Sequence, residues 1–414
     1  MNTLPKRVLT RLLYQTMAAH LATARDFRQI TDWHRRLFCF NLQPHPTPDN
    51  PHMSQYWTDL VRRLTPYVPG AQRAGDDVVK LNTNENPYPP SPQVSDAIAR
   101  VQPDSLRRYP DPQSLQLRTS LAEYHQLEVD QVFVGNGSDE ILALAFMTFF
   151  QGKPALHFPE ISYSFYPVYC DLLGITPEKV PLNPDYTIGL DKFSGNQNAA
   201  VNCGGIIFPN PNAPTGIAIT LAQIERILEA NADVVVLIDE AYADFGAESA
   251  ISLVNRYPNL VVSRTFSKGR SLAGLRLGAA FADKALIEGL TRTKDSFNSY
   301  PVDAVAQAAG IASLNDEQYY RKTIDKICNT REVTVEKLTS LGYRILPSQA
   351  NFIFASPGSN KRSATEIFKS LDEQNILVRH WDKKDLKDWL RITIGTEEEM
   401  QKLFDALQRN KQTQ

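Results

Sequence analysis

Four short runs, each directly after an apolar stretch, hold most of the residues able to do chemistry. Gly135-Asn136-Gly137-Ser138-Asp139-Glu140 follows Val134, and Pro209-Asn210-Pro211-Asn212-Ala213-Pro214-Thr215-Gly216 follows Phe208. Asp239-Glu240-Ala241-Tyr242 follows Ile238, and Arg264-Thr265-Phe266-Ser267-Lys268 follows Ser263. A helix that starts on glycine and serine offers an anion its free backbone N–H groups and its positive end. The acid, the lysine and the tyrosine add a charge, a nucleophile and a hydrogen-bond donor. Loops are rich in Gly, Pro and Asn because those residues build turns. Turn-building leaves unexplained why successive loops carry ionisable groups of complementary type.

The elements that must position these residues are short, non-alternating and β-branched. Gln131–Val134, Ala155–Phe158, Gly205–Phe208, Val234–Ile238 and Leu260–Ser263 are separated by helix-length segments such as Leu115–His125. That pattern predicts parallel strands covered on both faces, an α/β doubly wound sheet. The four runs then lie on one edge, at the carboxyl ends of the strands, where ligands bind in such sheets. After about Ile311 a long charged helix (Glu317–Leu341) leads to Tyr343–Leu346, Asn351–Phe354 and Leu390–Ile394, which predicts a smaller α+β domain. The expected organisation is an N-terminal extension (1–52), an arm (53–95), a large domain (96–310) and a small C-terminal domain (311–414).

The extension carries Arg7, Arg11, Arg25, Arg28, Arg35 and Arg36 with only three acidic residues, and ends in a proline-rich run from Pro44. An Arg-rich, acid-poor beginning fits a transit peptide. It equally fits an upstream segment with no folded role, with Met53 as a natural start, and that second reading is favoured. The 414 residues carry 44 Lys+Arg against 46 Asp+Glu. This balance gives no basic footprint for nucleic acid and no polybasic membrane signal. The longest apolar stretch, Ile141 to Phe150, is half a bilayer-spanning helix. Cys39, Cys170, Cys203 and Cys328 are far apart, with no CxxC, and no HExxH occurs. No metal is therefore expected, and so few cysteines fit a reducing, cytoplasmic setting.

The segment Thr265-Phe266-Ser267-Lys268-Gly269-Arg270-Ser271-Leu272-Ala273-Gly274-Leu275-Arg276 resembles the pyridoxal-phosphate lysine signature of fold-type I aminotransferases. The resemblance extends over Asn210–Gly216, Asp239–Tyr242 and Leu390-Arg391-Ile392-Thr393, from about Tyr56 to the end. It implies a fold-type I transferase using pyridoxal 5'-phosphate, with Lys268 forming the imine and carrying the proton. Asp239 would keep the pyridine nitrogen protonated, Tyr242 would bond the phenolic oxygen, and Tyr163 would stack on the ring. Gly137, Ser138, Thr265, Ser267 and Arg276 would hold the phosphate. Tyr109, in Arg108-Tyr109-Pro110, matches a tyrosine that reaches this phosphate from a neighbouring subunit, which implies a homodimer. The family has Asn where this chain has Ala213, so Asn212 is the candidate for that contact.

Leu64-Thr65-Pro66-Tyr67, Leu81–Tyr88, Asn298–Pro301 and Ala350–Ile353 resemble histidinol-phosphate aminotransferases in particular. This implies small-molecule substrates, histidinol phosphate and 2-oxoglutarate/glutamate, in histidine biosynthesis, with Tyr67, Asn351, Arg379 and Arg391 at the substrate. The rivals of the same fold are an aminotransferase for aromatic or other amino acids and a phosphothreonine decarboxylase. A rival of another class, a pyridoxal-phosphate sensor with a DNA-binding module, would need that module in residues 1–52, which show no helix-turn-helix pattern.

Overall fold

In the computed structural model the runs Cys203–Pro209, Val236–Asp239 and Leu260–Thr265 are neighbouring parallel strands whose alternate side chains enter two separate cores. Ile206, Phe208, Val236, Ile238, Leu260 and Val262 pack on one face, and Ile207, Leu237 and Val261 on the other. A strand covered on both faces needs apolar residues at every position, hence the unbroken runs in the sequence.

With strands numbered in chain order, the large sheet holds β2 (Val132–Gly135), β3 (Ala155–Pro159), β4 (Pro177–Val180), β5 (Cys203–Pro209), β6 (Val236–Asp239), β7 (Leu260–Thr265) and β8 (Gly278–Ala282). Their order is β2-β8-β7-β6-β5-β3-β4. β8 runs antiparallel to both neighbours, and the remaining pairs are parallel. The carboxyl ends of β2, β5, β6 and β7 therefore share one edge, and the chain enters β8 from that same edge. β4 and β8 had no clear signature in the sequence. β4 has Glu178 and Lys179 on an edge strand, and β8 is nearly all Gly and Ala.

The second sheet holds β9 (Arg344–Ile345), β10 (Phe352–Ser356), β12 (Arg379–His380) and β13 (Leu390–Thr393) in the antiparallel order β12-β13-β10-β9. Beside it, β1 (Val79–Lys80) pairs in parallel with β11 (Ile376–Leu377). A third core, with Phe352, Ile353, Leu371, Ile392 and Leu403, also takes in Val79 and Leu81. The N-terminal arm is thereby stitched to the C-terminal sheet. The helix Ala304–Asn315 buries Ala306, Ala309 and Leu314 in the core of the large domain, packed on the helices Pro92–Arg100 and Leu115–His125, so a boundary at 310/311 cuts through a helix. The change of core falls at Asp316, whose carboxylate caps the helix Glu317–Ser340 by accepting from the Tyr319 N–H.

The structure describes residues 54–412, apart from 74, 76, 194–201 and 359–361. Leu64–Gln414 form one compact unit, and the described residues before it contain a short helix, Asp59–Arg63. The extension expected at 1–52 lies outside the described residues. Among the described residues no helix is long and apolar enough to cross a membrane.

Candidate active site

At the carboxyl edge of the large sheet lies a cavity of about 520 Å³ whose wall draws on both sheets and the arm. Asp239 ends β6 and is only 4% exposed. Its side chain lies on the same sheet face as Leu237, so the Tyr166 hydroxyl, from the helix Tyr166–Leu173, donates to it at 2.9 Å. Ser263 donates at 3.4 Å. Burial pushes the carboxyl up to about 6, against the lowering effect of these hydrogen bonds. Among the described residues it has no cationic partner, so it can take an N–H donor presented from the cavity.

Lys268 follows β7 by three residues, and its Nζ donates to the Thr83 carbonyl at 2.9 Å. Burial, reinforced by the Arg391 and Arg276 charges and opposed by Glu85 and Asp139, brings it down to about 8. Asn86 holds the lysine backbone by donating to the carbonyls of Lys268 and Gly269 at 3.1 Å. Beside the lysine, Tyr242 presents its ring 5.9 Å from Nζ and accepts a hydrogen bond from Asn84 at 3.0 Å.

One end of the cavity is an anion cradle. Ser138 and Asp139 open the helix Gly137–Ala145 directly after β2, and Thr265, Ser267 and Arg276 complete the wall. Arg276 pairs with Asp139 at 2.8 Å and reaches Ser267 at 3.4 Å. Two glycines make this possible. Gly137 has φ +82°, and a Cβ there would lie 2.7 Å from the Arg276 guanidinium. A Cβ on Gly278 would lie 2.7 Å from the Ser138 backbone nitrogen, so the small residue opening β8 lets the helix start close on the sheet.

The opposite end is cationic. Arg391, on β13, donates to the Asn82 carbonyl at 2.8 Å and lies 5.4 Å from the rings of Phe352 and Trp381. Among the described residues its buried Nε has no hydrogen-bond partner. Arg379, on β12, donates to the Val68 carbonyl at 3.3 Å and lies 5.4 Å from the same Trp381 ring. Among the described residues neither arginine forms an ion pair. Tyr67 and Tyr163 stand between this end and an adjoining recess of about 350 Å³ that also holds Trp381. The Tyr163 hydroxyl donates to Asp139 at 3.0 Å.

The pattern of the aminotransferase class I and II family matches residues 76–407. The histidinol-phosphate aminotransferase 1 of Hydrogenovibrio crunogenus is 53% identical over 356 residues, 86% of this chain and 98% of its own. The chain belongs to the class I and II aminotransferases, among the histidinol-phosphate aminotransferases. The histidinol-phosphate aminotransferase of Chromohalobacter salexigens is 51% identical over 86% of this aminotransferase and 99% of its own length. The crystal structure of the Sinorhizobium meliloti histidinol-phosphate aminotransferase in complex with pyridoxal-5'-phosphate shares the fold, with a TM-score of 0.75 at 22% identity, covering 87% of this chain and 99% of that one.

Several expected site residues of this aminotransferase stand off the cavity wall. Asn212 is buried with its amide donating to the Ile161 carbonyl and to Thr215, and Ala213 forms the wall in its place. The side-chain donor expected to serve the cofactor is therefore already committed. Asn351 is buried behind the wall, donating to the Asn84 carbonyl at 3.0 Å. Tyr109 is 80% exposed and stacks on Tyr300 at 4.5 Å, away from the cavity of its own chain. Residues without an assigned role in the sequence reading contribute instead: Asp139 orients Arg276 and Tyr163, Tyr166 orients Asp239, and Thr83 and Asn84 engage Lys268 and Tyr242. Asp139 stood within the Gly135–Glu140 run. The Asn82–Asn86 run carried only a family likeness, and Tyr166 had no local signal beyond its aromatic neighbours.

Proposed function

We propose that this aminotransferase transfers the amino group of L-histidinol phosphate to 2-oxoglutarate, giving imidazole-acetol phosphate and L-glutamate, with pyridoxal 5'-phosphate as cofactor in cytoplasmic histidine biosynthesis. The observation that carries the substrate class is the pair Arg379 and Arg391. Two cations that have no acidic partner among the described residues face an amine and a buried carboxylate across one cavity, which suits an amino compound bearing a remote anion.

The residues fit the cofactor. Asp239, buried and with no cationic partner among the described residues, matches a protonated ring nitrogen, and the Gly137–Ser138 helix start with Thr265, Ser267 and Arg276 matches a phosphate. Pyridoxal phosphate, when bound, supplies a carbonyl for amines to condense with and a ring that withdraws electrons from the substrate Cα. With the cofactor bound, Asp239 would hold the ring-nitrogen proton, Tyr242 would donate to the phenolic oxygen and Tyr163 would cover a ring face. Lys268, already inclined to lose its proton, would anchor the cofactor and move the proton at Cα. Arg391 and Arg379 orient the substrate by its phosphate in one half-reaction and by a carboxylate in the other, with Tyr67 beside them. The recess containing Trp381 gives the imidazole an aromatic wall. The exposed Tyr109 serves the phosphate of a second copy, which makes the working form a homodimer.

The test is a half-reaction followed by absorbance. Histidinol phosphate added to purified holoenzyme converts the cofactor band, and 2-oxoglutarate restores it with one equivalent of glutamate. A band that responds to phenylalanine but not to histidinol phosphate rejects the substrate, and carbon dioxide release from threonine phosphate without glutamate rejects transamination.

A further inference from the structure

We propose that Asn84 is a positioning residue that fixes the direction of the Tyr242 hydroxyl proton, sending it into the cavity. The inference rests on the reading of Tyr242 as a cofactor contact. The order of donors and acceptors around Asn84 sets the direction. Thr393, on β13, accepts at its hydroxyl from the Asn84 backbone N–H at 3.0 Å. Its single proton is then free to donate to Asn84 Oδ1, at 3.1 Å. With Oδ1 held on that side, the amide NH2 faces Tyr242 and donates to its oxygen at 3.0 Å. A phenol that accepts from an NH2 group has to send its own proton elsewhere, and Tyr242 lines the cavity. The Asn84 carbonyl is held in turn by Asn351 at 3.0 Å.

The choice of residue fits the task. Asn84 is fully buried and has φ +54°, a left-handed conformation that asparagine tolerates better than most side chains. A residue held in that region at a ligand site and bonded through backbone and side chain alike is over-determined by its surroundings. The charged and titratable groups around Tyr242 include Lys268 from the loop after β7, Arg391 from β13, Asp239 from β6, Tyr67 from the arm and Tyr163 from the loop after β3. The cation of Arg391 and the Asn84 bond favour ionisation of the phenol, while burial opposes it. The strand that carries Arg391 thus also carries the hydroxyl that orients Asn84, two residues further along the same face.

The experiment is a pH titration of the bound-cofactor absorption band in purified holoenzyme, with cofactor affinity measured on the apoprotein. Asn84→Asp keeps the shape but replaces the donor by an acceptor, so the Tyr242 proton turns away from the cavity. The spectral transition is expected to move to higher pH by about one unit, the scale of one lost hydrogen bond to a charged oxygen. Asn84→Gly keeps the positive φ and frees the hydroxyl to rotate, giving a smaller upward shift. The added carboxylate also acts through its charge, so both variants are repeated in a Tyr242→Phe background. A shift that falls to less than half there sustains the proposal. Equal shifts in both backgrounds, or an Asn84→Gly protein that titrates like the wild type, overturn it. If Asn84→Asp fails to fold, the glycine pair carries the test alone. A wild-type protein with no cofactor band would instead defeat the reading of the site.

Discussion

The two ends of the cavity handle charge in opposite ways. At the end built by the large sheet, charges are neutralised or held by hydrogen bonds: Arg276 has Asp139, and Asp239 has the hydroxyls of Tyr166 and Ser263. At the end built by the C-terminal sheet, Arg379 and Arg391 have carbonyls and aromatic faces, and among the described residues no carboxylate. Carbonyls and rings orient a guanidinium without cancelling its charge. The first arrangement suits a group that stays, and the second suits anions that exchange at every turnover. A buried carboxylate beside Arg391 would compete with each incoming substrate.

Substitutions at the two ends should therefore separate cofactor retention from substrate binding. Lys268→Ala has the largest effect, a loss of multiple turnover on the order of 10⁴-fold by steady-state assay, with cofactor still held through its phosphate after dialysis. Normal turnover in that variant would end the assignment. Asp239→Asn comes next, lowering kcat by about 10²–10³-fold, the range for removing one preorganised electrostatic group. Arg391→Leu should cost about 2 kcal/mol or more in kcat/KM for both the phosphate and the dicarboxylate substrate, and leave cofactor content unchanged. Loss of cofactor in that variant would erase the contrast between the two ends. Gly137→Ala is the mildest, weakening cofactor affinity by about 1 kcal/mol through strain at positive φ, with KM for either substrate unaffected.

pH sharpens the same contrast. In the cofactor-free protein Asp239 sits at about 6 against an ordinary 3.8, so the folded chain binds its proton more tightly than the unfolded chain does. Ionising it costs stability as pH rises from about 4 to 6, and a protonated ring nitrogen would remove that cost. Cofactor addition should thus raise Tm more at pH 7 than at pH 5, and Asp239→Asn should flatten the difference. Lys268, lowered to about 8, is mostly protonated below that value, so cofactor uptake by the apoprotein should accelerate as pH rises toward 8.

The large-sheet end was the more legible half in the sequence. Asp239, Lys268 and Ser138 each lie within three residues of a strand's carboxyl end, so recognising the strand placed the side chain. Arg276 and β8 were harder, because a strand of glycine and alanine has no apolar signature, and Arg276 was reached only through the lysine motif. At the other end Tyr67, Arg379 and Arg391 were reached by family likeness, since nothing local says that a two-residue strand will carry a cation into a cavity. The orienting contacts were invisible for a different reason. Tyr166 meets Asp239 across 73 residues and Asn84 meets Tyr242 across 158, and such pairings exist only once two sheets and an arm have assembled. Asn212 was picked out by its position in a motif, which carries no information about where its amide donates, to Ile161 and Thr215.

The arm between β1 and Asn86 meets the site in a fixed rhythm. Its carbonyls at Asn82, Thr83 and Asn84 receive Arg391, Lys268 and Asn351 in turn, while Leu81 answers the backbone of Thr393. Inserting or deleting a single residue there would exchange every one of these assignments at once, because each successive carbonyl serves a different partner. Length variation among relatives should accordingly collect before Val79 and vanish between it and Asn86.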